Sequence, residues 1–328
     1  MDEHGSGIVK LLVTGGAGYI GSVVAAQLVE AGHEVVVLDD LSTGHEDAVP
    51  AGATFVRAPV TDAAGVLGGG GFDGVLHFAA KSLVGESMAR PGLYWDANLG
   101  GTLALLEAMR VAGVRRIVFS STAAVYGEPE RTPILETDPT LPTNPYGASK
   151  LAVDTTLTAF ARMHGLGATS LRYFNVAGAY AAADGRVYRE RHTVETHLIP
   201  NVLAVARGGG KPVSVFGTDY PTSDGTCVRD YVHVADLARA HQLALAGCAE
   251  GTHRIYNLGS GTGFTVQEVI SVCREVTGHD IPVVTDARRP GDPAVLVASS
   301  ELIQKELAWK PDRASLREMV ADAWAALG

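Results

Sequence analysis

The run Lys10-Leu11-Leu12-Val13-Thr14-Gly15-Gly16-Ala17-Gly18-Tyr19-Ile20-Gly21 decides the fold. Its apolar opening has no polar alternation and reads as a strand buried on both faces, while Gly15, Gly18 and Gly21 set a GxxGxxG spacing at the start of an apolar helix, Gly18–Ala31. Glycines there permit a tight turn and let backbone N–H groups at a helix N-terminus approach a pyrophosphate, where the helix dipole favours negative charge. The uncharged stretch Leu11 to Val29 is about long enough to span a bilayer, but the glycines at its centre would break a spanning helix. Strand, turn, helix is the better reading.

A second apolar strand, Glu34–Asp39, ends in Asp39-Asp40, where a carboxylate can accept hydrogen bonds from an adenosine ribose. That carboxylate would repel a 2′-phosphate, and Leu38 to Val49 holds no Arg or Lys to neutralise one, so the spacing favours NAD over NADP. Further strands are expected at Thr54–Arg57, Gly74–Ala79, Arg116–Ser120 and Ala168–Phe174, with helices at Leu93–Ala112 and Tyr146–His164. The alternation predicts an α/β protein with a Rossmann-type, doubly wound parallel sheet. After Gly178 the texture changes to a polar stretch, Ala181 to Thr196, and then to mixed elements: strands at Val213–Phe216 and Arg254–Leu258, helices at Val234–Ala246, Val266–Thr277 and Ser315–Ala326. The expected division is a dinucleotide-binding domain over 1–178, with returning segments near 230–258, and a smaller mixed α/β substrate-binding region over most of 179–328.

Composition agrees with a globular protein. The 328 residues are 46% hydrophobic and 19% charged, and 26 Lys+Arg against 36 Asp+Glu leave a net charge of −10 with no basic block, which argues against nucleic-acid binding. Three scattered cysteines, Cys227, Cys248 and Cys273, match neither a disulfide framework nor a zinc spacing and suit reduced thiols in a cytoplasmic protein. The eleven histidines show no HxH or HxxxH pattern, so no metal is expected; His77 and His233 sit in apolar strings and read as structural.

Tyr146 and Lys150 are one helical turn apart and share a face. An ammonium beside a phenol favours the phenolate, and moving a tyrosine from ~10 to ~7 requires about 4 kcal/mol. Tyr146 would then serve as a general base, with a hydroxyl of Ser120-Ser121-Thr122 at a sheet edge binding the reacting oxygen.

The glycine spacing, Tyr146-x-x-x-Lys150 and the preceding hydroxyl run resemble the extended short-chain dehydrogenase/reductase family. Longer strings look like the UDP-glucose 4-epimerases, a branch of it: His77-Phe78-Ala79-Ala80, Val84-Gly85-Glu86-Ser87, Phe119 to Gly127, Arg172-Tyr173-Phe174-Asn175, Arg229 to Val234 and Arg288 to Asp292. The resemblance implies a homodimeric isomerase that interconverts UDP-galactose and UDP-glucose with bound NAD. It implies Thr122, Tyr146 and Lys150 as the catalytic set. Around NAD it implies Gly15, Gly18, Tyr19, Ile20, Gly21, Asp39, Asp40, Val60, Phe78, Ala79, Asn98 and Tyr173, besides Tyr146 and Lys150. Around the UDP-sugar it implies Asn175, His197, Leu198, Phe216, Arg229, Tyr231, Arg289, Asp292 and Leu296, besides Thr122.

The chain departs from this family's pattern at Pro59-Val60, where a carboxylate near adenine is usual, and at Ser82, where some members carry a lysine near the cofactor phosphates. Both weaken expected NAD retention. Ala123-Ala124 follow Thr122 where the family's 4,6-dehydratases carry Asp-Glu, which argues against elimination chemistry. Arg229 and Arg289 suit a diphosphate on an otherwise acidic chain, because the guanidinium fork matches phosphate oxygens. The rivals are a 4-epimerase acting on UDP-N-acetylglucosamine or UDP-glucuronate, and a non-enzymatic dinucleotide sensor. The intact Thr/Tyr/Lys set argues against the sensor. Leu296 is expected to close the far wall of the sugar pocket, with a core position remote from the sugar as the plainer alternative.

Overall fold

The computed structural model describes residues 7–209, 211–289 and 291–328; Pro290, in the string Arg288 to Asp292, lies outside them. In chain order the strands are β1 Lys10–Thr14, β2 Glu34–Asp39, β3 Thr54–Arg57, β4 Gly74–His77, β5 Arg116–Thr122, β6 Gly167–Tyr173, β7 Asn175–Ala177, β8 Ala179–Ala181, β9 Val187–Arg189, β10 Val213–Phe216, β11 Val228–His233, β12 His253–Leu258, β13 Gly263–Thr265, β14 Val283–Asp286 and β15 Val295–Leu296. The helices are α1 Tyr19–Glu30, α2 Ala63–Leu67, α3 Val84–Ala89, α4 Pro91–Tyr94, α5 Gly101–Ala112, α6 Pro145–His164, α7 Leu198–Ala206, α8 Val234–Ala246, α9 Val266–Thr277, α10 Glu301–Leu307 and α11 Leu316–Ala325.

Seven parallel strands form the central sheet in the order β12-β6-β5-β4-β1-β2-β3. The unbroken apolar runs have a direct physical cause. Leu11, Val13, Val35, Val37 and Leu76 enter one core with α1 and α8, whereas Leu12, Val36, Leu38 and Val75 enter another with α2, α5 and α6. Successive side chains point to opposite faces, so a strand covered by helices on both sides must be apolar throughout. A third core is built from α7, α9, α11, β10 and β11.

The chain runs outward from β1 in both directions, through β2 and β3 on one side and β4, β5 and β6 on the other. The carboxyl ends of β1 and β4 therefore flank the point where the strand order reverses, the place where open α/β sheets bind ligands. Two expectations change. The helix expected at Leu93–Ala112 is interrupted by a π-helical turn, Trp95–Gly100, which turns Asn98 into the interior. A helix not expected from sequence, α7, follows the polar stretch. Among the described residues no helix is long and apolar enough to cross a membrane.

Candidate active site

The β1–α1 turn assigns each glycine a separate task. Gly15 takes φ +71°, and a Cβ there would lie 2.5 Å from the Ala79 nitrogen, so the loops after β1 and β4 can touch only because Gly15 has no side chain. A Cβ on Gly21 would sit 2.3 Å from the Gly15 carbonyl oxygen, which makes Gly21 a packing requirement of α1 against the turn. Gly18 is the N-cap and supplies no side-chain cap; the first bond of the helix runs from the Ser22 N–H to the Gly18 carbonyl at 2.9 Å. The N–H groups of Tyr19, Ile20 and Gly21 precede that bond and lie at the positive end of the helix, a cradle suited to a pyrophosphate.

Asp39 ends β2 and orders this cradle. Its carboxylate accepts hydrogen bonds from the Ala17 N–H at 3.0 Å and the Leu41 N–H at 2.8 Å, while Asp40 accepts from Ser42 N–H at 2.8 Å. Burial raises the Asp39 pKa, and the two N–H donors oppose the rise. The loop after β2 carries no cation of its own, but the fold brings Lys81 to it, with Nζ 3.4 Å from the Ser42 hydroxyl. Asn98 fixes the Lys81 backbone from both sides: its Oδ1 accepts from the Lys81 N–H at 2.7 Å, and its amide donates to the Lys81 carbonyl at 3.0 Å. The same amide donates to the Ser149 hydroxyl at 2.9 Å, tying this loop to α6. Val60 packs against Gly101 of α5. Phe78 and Tyr173 both lie against His241, at 4.8 and 5.7 Å between ring centroids, and burial holds that imidazole neutral with a pKa down to about 4. Tyr19 donates its hydroxyl to the Gly178 carbonyl at 2.7 Å, linking the cradle to the chain between β7 and β8.

Thr122, Tyr146 and Lys150 come together at the carboxyl end of β5. Asn144 caps α6 by accepting the Gly147 N–H at 2.9 Å, and Pro145 occupies the first helical position. A Cβ on Gly147 would be 2.5 Å from the Ala124 carbonyl oxygen, so glycine lets α6 close onto the turn after β5 and sets Tyr146 beside Thr122. Burial raises the Tyr146 pKa, and the Thr122 hydroxyl beside the phenol holds it down in part.

The geometry adds partners that spacing does not show. Lys150 shares the face of Tyr146, but its ammonium donates to the Ser120 carbonyl at 2.7 Å and the Ser120 hydroxyl at 3.2 Å, and lies 4.7 Å from the Phe119 ring centroid. The buried end of β5 offers acceptors that a helical wheel cannot show. The Thr122 hydroxyl is a neighbour that favours the phenolate. Burial also lowers the Lys150 pKa to about 7, opposed by Asp154 one turn further along α6.

Asp154 is absent from the sequence reading. It accepts from Arg172 Nη2 at 2.9 Å and Nε at 3.1 Å and from the Ser121 hydroxyl at 3.3 Å, in a pair with side chains only 3–4% exposed. Tyr146, Lys150 and Asp154 at i, i+4 and i+8 were the available signal. His77 and His233 are buried and bonded to neighbours: His77 bridges Thr14 and Thr102 at 2.6 and 2.8 Å, and His233 caps α8 at the Ala235 N–H.

Most of the residues implied around the sugar nucleotide lie on or near β11. The Asn175 amide donates to the Asp230 carbonyl at 3.0 Å; Tyr231 is buried in the third core against Phe264. Asp292 bonds both Arg229 and Arg289, and Arg289 lies over Phe216 at 4.9 Å, so Phe216 and two guanidiniums sharing one carboxylate form a corner of net positive charge. His197 and Leu198 open α7. Leu296 pairs with Arg229 across β15–β11 and packs against the cluster of Val125, Tyr126 and Ile134, combining a partly buried position with a place near the end of β5. All three cysteines are free, two buried and Cys248 half-buried.

A dinucleotide cradle at the sheet crossover and a Thr/Tyr/Lys set one strand away define an α/β enzyme that works on a substrate held against a nicotinamide cofactor. The chain belongs to the NAD dependent epimerase/dehydratase family, whose model matches residues 11–259. It is 57% identical over 318 residues to the UDP-glucose 4-epimerase of Corynebacterium glutamicum, covering 97% of this chain and 95% of that one. The identity to the UDP-glucose 4-epimerase of Streptomyces lividans is 60% over 319 residues, covering 96% and 95%. The crystal structure of UDP-glucose 4-epimerase from Brucella ovis in complex with NAD superposes with a TM-score of 0.91 at 40% identity, over 97% of this chain and 98% of that one.

Proposed function

We propose that the protein is an NAD-dependent isomerase that interconverts UDP-galactose and UDP-glucose. The observation that carries this reading is the meeting of Thr122, Tyr146 and Lys150 at the end of β5, beside a glycine cradle whose uncapped N–H groups fit the NAD pyrophosphate. NAD held in that cradle would supply the hydride acceptor for sugar C4 and the hydride donor for the opposite face.

The protein's own residues manage the proton and the sugar. Tyr146 takes the proton of the 4-hydroxyl and gives it back after the 4-keto sugar has turned over, while the Thr122 hydroxyl steadies the reacting oxygen. Lys150 holds the nicotinamide ribose. Asn175, His197, Leu198, Phe216, Arg229, Tyr231, Arg289, Asp292 and Leu296 surround the UDP-sugar; Gly15, Gly18, Tyr19, Ile20, Gly21, Asp39, Asp40, Val60, Phe78, Ala79, Asn98 and Tyr173 line NAD. Ala123 and Ala124 leave no carboxylate after Thr122 for an elimination, which favours epimerisation over dehydration. The division into an NAD-binding part, 1–178 with returning segments near 230–258, and a mostly sugar-nucleotide part over 179–328 is supported by β12 joining the central sheet beside β6 and by most of the sugar set lying after Gly178. Three free cysteines suit a reducing, cytoplasmic setting, and exposed apolar residues such as Trp95, Leu103 and Met163 near or on α5 and α6 suit a homodimer through those helices.

The test is to incubate purified protein with UDP-galactose, without added NAD, and assay UDP-glucose. Conversion to an equilibrium mixture with no net NADH is expected; stoichiometric NADH, or release of water from the sugar, would defeat the reading.

A further inference from the structure

The stretch between β9 and α7 brings together four side chains, three of which, Glu190, His192 and Glu195, have no part in the proposed reaction, beside His197 of the sugar-nucleotide set. Glu190, His192, Glu195 and His197 each present one ligand atom, and all four atoms lie within 4.8 Å of one another. His192 Nδ1 is 3.3 Å from a Glu190 oxygen and 3.3 Å from a Glu195 oxygen; His197 Nδ1 contacts the same Glu190 oxygen and lies 4.0 Å from Glu195. Four donors at about 2.05 Å from a tetrahedral zinc are separated from one another by about 3.3 Å. Two of these separations already match.

The donor set is selective. Two imidazole nitrogens and two carboxylates suit a borderline divalent ion, whereas Ca²⁺ and Mg²⁺ prefer oxygen alone. With neutral imidazoles the cluster carries two negative charges, which a dication cancels. The Glu190 side chain is 7% exposed, so its charge is poorly served by water.

The surroundings hold the donors in place. Glu195 accepts the N–H groups of Thr196 and His197, both at 2.8 Å. Arg191, inside the stretch, forms two bonds to Asp47 at 2.7 and 2.9 Å, and its carbonyl lies 3.1 Å from His45 Nε2, which anchors the segment to the loop after β2. Hydrogen-bonded carboxylates and an anchored backbone are the outer-shell supports that metal ligands require.

We propose that Glu190, His192, Glu195 and His197 form a binding site for one divalent transition-metal ion, best matched by Zn²⁺. The ion would fasten the segment that joins the two halves of the active site. On one side the segment follows β9, whose partner β8 begins next to Gly178, the acceptor of the Tyr19 hydroxyl of the cofactor cradle. On the other, His197 is the N-cap of α7.

The experiment uses the full-length protein, treated with a chelator, desalted, and titrated with Zn²⁺ by calorimetry and with Co²⁺ by visible absorption. One equivalent of Zn²⁺ per chain and the intense bands of four-coordinate Co²⁺ are expected, with His192→Ala and Glu195→Gln each weakening Zn²⁺ at least about tenfold. Melting curves and NAD content would show that each variant is folded. A measurement on the unaltered protein stands beside these: Zn²⁺ should protect His192 and His197 from diethyl pyrocarbonate, read by mass spectrometry. Absence of saturable binding, binding retained by both variants, or no protection at either histidine would reduce the cluster to a hydrogen-bonded His–Glu network and overturn the proposal.

Discussion

Replacing Asp154 by Asn keeps the shape of the side chain and removes its charge. Arg172, its side chain 4% exposed, then faces a neutral amide oxygen in place of its carboxylate, beside the Tyr126 hydroxyl at 3.0 Å and the Tyr126 ring. Breaking one partner of a buried ion pair costs about 3–5 kcal/mol. At about 2.1 cal/mol/K per residue, 328 residues give an unfolding entropy near 0.7 kcal/mol/K, so Tm should fall by about 4–7 °C. The same substitution removes the charge that opposes burial at Lys150, whose pKa should move below its present value of about 7. The limb of the kcat–pH profile that reports Lys150 should shift to lower pH. Calorimetry and a pH series on the variant measure both. A Tm loss below about 1.5 °C together with an unmoved limb would refute the argument that Asp154 sustains the charge on Lys150 through the core.

Other outcomes follow from the same site. Tyr146→Phe should lower kcat by ~10²–10⁴ while Tm changes little; near-normal turnover would remove Tyr146 from the chemistry. Lys150 has a folded pKa of about 7 against an ordinary 10.5, so between these values the unfolded chain binds more protons and the lysine's burden on stability is relieved as pH rises. The Tm of Lys150→Met minus that of wild type should therefore be largest near pH 7 and shrink toward pH 10; a flat difference would contradict the depressed pKa. Denaturing the purified protein should release NAD and not NADP, and Asp39→Asn should narrow that preference; better reactivation of stripped protein by NADP would show that Lys81, not Asp39, governs the 2′ position. Leu296→Gly should raise kcat/KM for UDP-N-acetylgalactosamine, since a few methylene groups discriminate by ~1–3 kcal/mol; no gain would assign Leu296 to the core formed by Val125, Tyr126 and Ile134.

The sequence by itself determined much of what depends on short periods. Strands β2, β3 and β10 and helices α8 and α9 fall where apolar run and period place them, because burial on both faces or on one stripe writes itself into neighbouring residues. The glycine turn, the carboxylate at the end of β2 and the Tyr146–Lys150 spacing were legible for the same reason. Helix α7 was hidden by Pro200, which the first turn tolerates because its N–H would have no partner there. The choice of partner was left to the tertiary structure. Only the packed sheet gives the Lys150 ammonium the Ser120 carbonyl, sets Arg172 of β6 against Asp154 of α6, carries Lys81 to Ser42 through the Asn98 clamp, and folds Glu190, His192, Glu195 and His197 onto one point. Those pairings join residues on different elements, or on a segment without a regular period, and the charge each group keeps depends on how much water its neighbours exclude. Burial and dielectric belong to the assembled fold, so the spacing of Tyr146 and Lys150 could announce a catalytic pair but could not say which neighbour tunes the phenol.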